Sequence, residues 1–493
     1  MRRPEPHYLA FDLGAGSGRA MLGGVSDAGL ELTEVHRFHY APVTSDGHLR
    51  WPFARILEGI EAGLVAAQRA AEAPIESLGV DSWAVDYGLV DDSGRLLEDP
   101  IAYRDHRTDD AVEQVLGVVP KPEVFERTGL QFLQFNTLFQ LHAHVREGLP
   151  PRAHRLLMIP DLVHHALCGS TTGEYTNAST TQLLDVRTRA WADDLFERLG
   201  LPRALMPELV PPGTPLGELD ERLQRELGTG PIRVTAPATH DTASAVAGTP
   251  LEPGWAYVSS GTWSLVGVER QAPLLGEAVG RANFTNEGGA FSTIRFLKNV
   301  MGLWILESCR REWESAGLAC DLEALLRSAA ALERSPGVVF PDDPRFFNPA
   351  SMTAEIQAAL AATGQSVRDE PAQLTRVILD SLALRCASVV GTIESLTGER
   401  VPGVHVVGGG CRNEYLNQAT ADAAGRPVLA GPVEATATGN LLLQAIAAGQ
   451  LRSLAEGRRL VAAPRRFEPR AHTGLEAVSG RYREIEAKAL EDG

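Results

Sequence analysis

Two carboxylates, Asp12 and Asp241, stand in short segments whose composition suits the handling of a charged ligand. Asp12 opens the run Asp-Leu-Gly-Ala-Gly-Ser-Gly-Arg at positions 12–19. Glycines at this density let a backbone come close to a bound molecule. Ala15, Gly16, Ser17 and Gly18 would offer backbone N–H groups, Ser17 adds a hydroxyl, and Arg19 adds a fork of donors suited to phosphate oxygens. Asp12 is a natural carboxylate for Mg²⁺, held through water because that ion keeps much of its hydration. Two ligands fit the spacing D-x-G-x-G-x-G: S-adenosylmethionine, or nucleotide phosphates wrapped between two strands. A plain hairpin turn with a solvated arginine fits it as well.

Asp241 lies in Ala-Thr-His-Asp-Thr-Ala-Ser-Ala-Val, 238–246, just ahead of a helical pattern. It reads as a general base or as a helix N-cap, since aspartate is a preferred cap. The roles are compatible, because a helix N-terminus favours the ionised form. Two further turns carry small residues: Ser-Ser-Gly-Thr-Trp-Ser at 259–264, with Thr262, and Val-Val-Gly-Gly-Gly-Cys-Arg-Asn at 406–413, with Gly409. The triple glycine also fits a strand-to-helix turn that needs positive φ. Lysine occurs only at Lys121, Lys298 and Lys488, none of them in a G-x-x-x-x-G-K-[ST] loop. A P-loop is therefore excluded, and phosphates would have to be held by the other loops.

The elements that must position these groups follow from periodicity. Residues 8–13 read as a strand, 19–25 as a second with a turn at 26–29, and 30–40 as a third. Residues 53–73 have a helical pattern, and 75–97 contain a strand, a break and another strand. The order β-β-β-α-β matters. A methyltransferase or dinucleotide loop runs from a strand directly into a helix. Here the glycines form a hairpin connection, whose N–H groups can meet a phosphate without any helix. Residues 255–268 repeat the strand–turn–strand arrangement, which suggests two halves of related design. Near 404–411 an apolar strand ends in the three glycines, followed by a helix, a short strand at 426–431 and a helix at 434–449. Gly and Pro punctuation places a boundary around 243–255. The expected domains are 1–245 and 246–450, with a tail, 451–493, that packs back as a helix.

The chain has 493 residues, 44% hydrophobic and 22% charged, with a formal net charge of −17. This composition is that of a soluble globular protein with material for large cores. The negative charge argues against nucleic acid or an anionic membrane as partner. The cysteines, Cys168, Cys309, Cys320, Cys386 and Cys411, include no CxxC and fit a reduced, cytoplasmic compartment. Neither a signal pattern nor a long apolar run is present. A monomer is the expectation. The His-containing stretches 142–144 and 164–168 match no common zinc spacing and read as structural. The run Tyr-Arg-Asp-His-Arg-Thr at 103–108 reads equally as a salt-bridged loop or a substrate contact.

Taken in order, the segments at 12–19, 80–88, 102–108, 135–141, 174–183, 238–246, 259–264, 286–289, 297–304, 406–413 and 430–435 resemble the FGGY family of carbohydrate kinases. The resemblance runs from about residue 8 to 450. It implies an α/β fold of two ribonuclease-H-like (actin/hexokinase-type) domains flanking a central cleft. It further implies an ATP-dependent kinase that uses Mg²⁺ and phosphorylates the C1 hydroxyl of L-rhamnulose, its partners being the sugar and the nucleotide. It assigns the base to Asp241, and sugar contacts to Ala84, His240, Asp241, Thr242 and Asn299. It places Thr262 on phosphate, and Gly409 and Glu307 on the nucleotide side. Ala84 stands where the family pattern has glycine, and Glu307 where it has glutamine. Trp83 would stack on an apolar sugar face or fill the core, with the core preferred. Another ketose or polyol, such as L-fuculose or L-xylulose, is the nearest alternative substrate. A methyltransferase leaves the later segments unexplained. A catalytically silent sugar sensor need not keep Asp12, Arg19 and Asp241 together.

Overall fold

The chain was analysed as a computed structural model, in which residues 6–26, 29–318, 320–471 and 474–492 are described. It divides into two compact units, neither of them continuous in sequence. The first comprises Met1–Pro250, Glu269–Phe296 and Ala435–Ala462; the second comprises Leu251–Val268, Leu297–Glu434 and Ala463–Gly493.

In the first unit, strands β1 (His7–Leu13), β2 (Ser17–Ser26) and β3 (Gly29–His39) form an antiparallel meander. Helix α1 (Phe53–Ala70) follows, then strand β4 (Ile75–Ser82), which pairs parallel to β1. The meander, the helix and the following strand are those read from periodicity, but a short antiparallel hairpin, Val43–Ser45 with His48–Arg50, that the reading did not contain stands before the helix. Asp27 and Ala28, where a turn is expected, lie outside the described residues. Strand β1 is apolar almost throughout and buried on both faces, as suits a central strand with parallel and antiparallel neighbours. Helix α1 sets Ile56, Ile60, Leu64 and Ala67 on one stripe, three or four residues apart. That stripe joins Leu9, Phe11, Leu13, Leu78 and Val80 in a common core. Two more strands complete the sheet, β5 (Thr214–Glu218) and β6 (Arg233–Ala236), giving the order β5-β6-β4-β1-β2-β3. Strand β6 runs parallel to β4 and leads into helix α2 (Asp241–Ala247).

The helix expected at 434–449 forms over Ala435–Ala447 and packs within the first unit. Its Gln444 Nε2 donates to the Leu9 carbonyl (3.0 Å), while Ser77 Oγ donates to Gln444 Oε1 (2.6 Å). This buried pair of bonds ties the helix to β1 and β4. It also meets α2 closely: a Cβ on Gly439 would lie 1.8 Å from the Ser244 carbonyl oxygen, and one on Gly248 would lie 2.2 Å from that of Ala435. Glycine at both positions is a requirement of that approach.

The second unit repeats the hairpin. Ala256–Ser260 pairs antiparallel with Trp263–Arg270 and parallel with Val404–Val407, next to which run Val428–Ala430 and Arg465–Phe467. Helix Pro371–Thr397 supplies Leu374, Val377, Ile378 and Leu382 to a core that also takes Tyr482 of the helix Glu476–Asp492. Among the described residues no helix is long and apolar enough to cross a membrane. None of the five cysteines is in a disulfide.

Candidate functional site

Parallel pairing explains why three carboxylates converge in the first unit. Strands β1, β4 and β6 run the same way, so their C-terminal ends share one edge of the sheet. In open α/β sheets that edge is where ligands bind. Asp12 is the penultimate residue of β1 and Asp81 that of β4, and the two are partners in register. Asp241 follows β6, after a bridge between Ser82 and His240.

Asp12 is also opposite Arg19 across the β1–β2 hairpin, and the two form a short ion pair. The hairpin closes through Gly14 N to Ser17 O (2.9 Å), and the Tyr40 hydroxyl braces it by donating to the Gly14 carbonyl (2.6 Å). Ala15 and Gly16 are exposed at the tip, and Ser17 is half-buried. Gly18 differs from them. It is buried in β2, and a Cβ there would lie 2.3 Å from the Phe38 ring. Packing, not access to a ligand, demands glycine at this position.

Asp241 begins α2 without capping it; His240 holds the N-cap position and makes no side-chain cap bond. The Asp241 Oδ1 accepts instead from its neighbour, from Thr242 N at 2.5 Å and Thr242 Oγ1 at 3.2 Å. Burial, reinforced by the charge of Asp12, pushes the Asp241 carboxyl up to about 7, while Thr242 and Arg295 act the other way. Asp81 is fully buried, and burial together with Asp12 raises its carboxyl well above the usual range. Asn440 Nδ2 donates to its Oδ2 (2.6 Å), whereas its Oδ1 has no hydrogen-bond partner. The sequence reading did not single out Asp81. The signal was present in Val-Asp-Ser-Trp-Ala-Val-Asp, whose first aspartate sits at a strand end as Asp12 does.

His240 belongs to a buried polar chain. Its Nδ1 lies 2.9 Å from Arg295 Nη2 and its Nε2 3.3 Å from Asp241 Oδ1. Arg295 is itself paired with Glu287 (3.1 Å) and donates through Nε to the Gly288 carbonyl (2.9 Å). Burial and the adjacent guanidinium hold His240 well below its ordinary range, so it is neutral. Glu174 anchors the same loop by accepting from Thr239 N and Thr239 Oγ1, both at 2.9 Å, and from Thr176 N (2.8 Å).

Ala84 lies on a sharp turn after β4. Val85 has φ 69°, a costly conformation for a β-branched residue. Its carbonyl accepts from Thr137 Oγ1 (2.8 Å) and Gln140 Nε2 (3.2 Å). Asp86 fixes the next step by accepting from Trp51 Nε1 (2.7 Å), Trp83 Nε1 (2.9 Å) and Gln140 Nε2 (3.0 Å). Trp83 is core, with its indole N–H satisfied by that carboxylate.

The remaining candidates lie in the second unit. Thr262 is exposed on the hairpin turn, whose backbone is joined to the following segment by Leu303 N to Gly261 O (2.9 Å). The glycines of 408–410 divide their work. Gly408 has φ 79°, and a Cβ on Gly410 would lie 2.0 Å from Ser260 Oγ, but one on Gly409 would meet nothing within 4 Å. Glu307 is in the first turn of helix Trp304–Ser315, paired with Arg310 (2.7 Å). Asn299 is partly exposed on strand Ile294–Met301. The structure therefore groups Asp12, Arg19, Asp81, Ala84, His240, Asp241 and Thr242 in one unit, and Thr262, Asn299, Glu307 and Gly409 in the other.

The histidine runs are structural. His144 meets the Tyr87 hydroxyl (3.0 Å) and Glu98 (3.1 Å), and His164 Nε2 accepts from Val80 N (3.1 Å). In the loop at 103–108, Asp105 accepts from Leu49 N (2.7 Å) and Arg107 N (2.9 Å). Among the described residues no group of three or more His, Cys, Asp or Glu side chains is placed to hold a metal ion.

Residues 7–248 match the N-terminal domain of the FGGY family of carbohydrate kinases, and residues 256–448 its C-terminal domain. This chain belongs to that family. FGGY relatives include the rhamnulokinase of Pectobacterium carotovorum subsp. carotovorum (strain PC1), 42% identical over 490 residues, covering 98% of this chain and 96% of that one. The rhamnulokinase of Bacteroides thetaiotaomicron is 40% identical and covers 93% of this chain and 94% of its own. Solved FGGY-type folds agree. Gluconate kinase from Lactobacillus acidophilus superposes with a TM-score of 0.82 at 13% identity, covering 99% of both chains. Plasmodium falciparum glycerol kinase with ADP gives 0.77 at 15%, covering 99% of this chain and 98% of that one. The FGGY chain is an ATP-dependent sugar kinase of α/β, actin/hexokinase-type fold. Its Asp-x-Gly-x-Gly-x-Gly segment is a strand–turn–strand hairpin, not the strand-to-helix loop of a methyltransferase.

Proposed function

We propose that this FGGY kinase transfers the γ-phosphoryl group of ATP to the C1 hydroxyl of L-rhamnulose. The substrate rests on the rhamnulokinase relatives, which align over nearly the whole chain. The observation that carries the chemistry is Asp241, a carboxyl pushed up to about 7 beside Asp12 and His240. A base serves best when its pKa is near the working pH. Phosphoryl transfer needs mainly alignment and charge stabilisation, so a carboxylate that orients the hydroxyl and takes its proton late suffices.

The other roles follow from chemistry and exposure. The hairpin tip, Ala15 to Gly18, presents backbone N–H groups to phosphate oxygens, with the Ser17 hydroxyl and the Arg19 guanidinium beside them. Gly18 contributes by letting the hairpin close on Phe38. Thr262 adds a hydroxyl from the second unit. Gly409, open on its Cβ side, gives the nucleotide room, with Glu307 on the same side. Ala84, His240, Thr242 and Asn299 contact the sugar. The donor set fits Mg²⁺: Asp12 offers a hard carboxylate oxygen to an ion that keeps much of its water and binds phosphates. Mg²⁺ would neutralise charge on the transferring phosphoryl group.

The test is ADP release with Mg-ATP and a panel of ketoses, for the unaltered chain and Asp241→Asn. The expected result is turnover strongest on L-rhamnulose, lost on adding EDTA, restored by Mg²⁺, and reduced at least ~100-fold in Asp241→Asn. Turnover strongest on L-fuculose or L-xylulose would move the substrate assignment, and the Ala84 methyl would be the first cause to examine.

A further inference from the structure

We infer that Arg295 and Glu287 are positioning residues that fix the tautomer of His240, and that Asp241 Oδ2 is thereby left as the oxygen that receives the sugar proton. This rests on the reading of Asp241 as the base. Arginine has only donors and stays charged. With Arg295 Nη2 at 2.9 Å from His240 Nδ1, that ring nitrogen must be the acceptor. The neutral ring therefore carries its proton on Nε2, the nitrogen 3.3 Å from Asp241 Oδ1.

Asp241 Oδ1 accepts two hydrogen bonds, from Thr242 N and Thr242 Oγ1, and the protonated His240 Nε2 lies 3.3 Å from the same oxygen. An oxygen whose lone pairs are engaged in this way is less basic than the other oxygen of the same carboxylate. The side chain remains about a third exposed, and both hydrogen bonds it accepts from Thr242 end on Oδ1, so Oδ2 is the oxygen left for the sugar proton. In the transfer step the C1 hydroxyl O–H bond breaks, its proton goes to Oδ2, and the oxygen forms the new bond to the γ-phosphorus of ATP as the bond to ADP breaks.

Glu287 acts one step further back. Its Oε2 sits 3.1 Å from the same Arg295 Nη2 and 3.5 Å from His240 Nδ1. It holds the guanidinium against the ring, and Arg295 Nε is fixed by the Gly288 carbonyl. Arg295, fully buried, cannot turn aside to water. The competing arrangement puts the proton on Nδ1, pointing at Glu287, and gives Asp241 no help from the ring.

The ¹⁵N spectrum of ring-labelled protein at neutral pH, with the His240 signals assigned by their loss in His240→Gln, reads the tautomer without any turnover. The expected result is a protonated Nε2 and an unprotonated Nδ1. A protonated Nδ1 in the unaltered protein overturns the inference. Arg295→Met should mix the tautomers and lower kcat about tenfold with KM for ATP unchanged, and Arg295→Lys should recover both the spectrum and most of kcat. An unmixed spectrum in a folded Arg295→Met protein overturns it as well. Should Arg295→Met not fold, Glu287→Gln replaces it, with partial mixing as the expected result and an unmixed spectrum as the contrary one. Absence of sugar-dependent ADP release in the unaltered protein would instead defeat the kinase reading of the site and leave the tautomer result standing.

Discussion

A carboxyl pushed up to about 7 has consequences for both rate and stability. The base proposed at Asp241 would work only when ionised. We expect kcat/KM to fall tenfold per pH unit below about 7, and a pH–rate profile with a limb near 4 would contradict this assignment. Stability runs the other way. The unfolded carboxyl titrates near 3.8, so between 3.8 and about 7 the native state holds a proton that the unfolded state has lost. Stability therefore falls as pH rises through that window, and the cost is fully present above it. Asp241→Asn keeps an acceptor for Thr242 but cannot ionise. Its thermal midpoint at pH 8 should exceed that of the unaltered protein even though activity is lost, which differential scanning calorimetry at pH 8 checks. At this scale the sequence was partly legible. Asp12, Arg19 and Asp241 stand out by type and motif, and the fold sets Asp12 and Asp241 at one edge of the sheet. Glycines did not declare their reasons: Gly16 is open to solvent, Gly18 is packed on Phe38, and only coordinates separate them.

Elements decide whether those residues meet. Periodicity revealed the meander of β1, β2 and β3, and hence the hairpin, but not the short hairpin of 43–50 that follows it. It could not reveal that β6 runs parallel to β4, which sets Asp241 at the same sheet edge as Asp12 and Asp81. Nor could it show which helix supports α2. That support is the helix Ala435–Ala447, brought close by Gly439 and Gly248. Gly439→Ala would force a methyl to 1.8 Å from the Ser244 carbonyl oxygen, so the two helices must separate. We expect a stability loss of about 1–3 kcal/mol by chemical denaturation, as for other overpacked contacts. We also expect a loss of roughly 100-fold in kcat, because α2 carries the proposed base Asp241 with it and small misplacements of such a group are costly. Unchanged kcat in a destabilised protein would show that α2 holds its place without that helix.

For the whole molecule, the chain passes between its two units at 250/251, 268/269, 296/297, 434/435 and 462/463. Linear reading, guided by Gly and Pro punctuation, offers one boundary around 243–255 and contains no discontinuous unit. The return of 269–296 and 435–462 to the first unit is carried by long-range contacts such as Arg295 to His240 for the former and Asn440 to Asp81 and Gln444 to Leu9 for the latter, which leave no local trace in the sequence. Residues 1–250 alone would leave β1 and β4 without the buried helix that satisfies Ser77 and Asp81. We expect that fragment to bind ANS and to lack a cooperative melt. Appending residues 435–462 through a flexible linker should restore cooperativity, and a cooperative melt of the bare fragment would refute the dependence.

The distance along the chain between Asp81 and its partner Asn440, 359 residues, also sets a clock. At a synthesis rate of ~5–20 residues per second, a ribosome needs on the order of tens of seconds to make that span. Throughout that interval the nascent sheet has its strands but not its lid, and a carboxyl destined for the interior is still in water. The first unit begins first and finishes almost last, so translation speed between these two residues governs how long an incomplete fold is offered to chaperones.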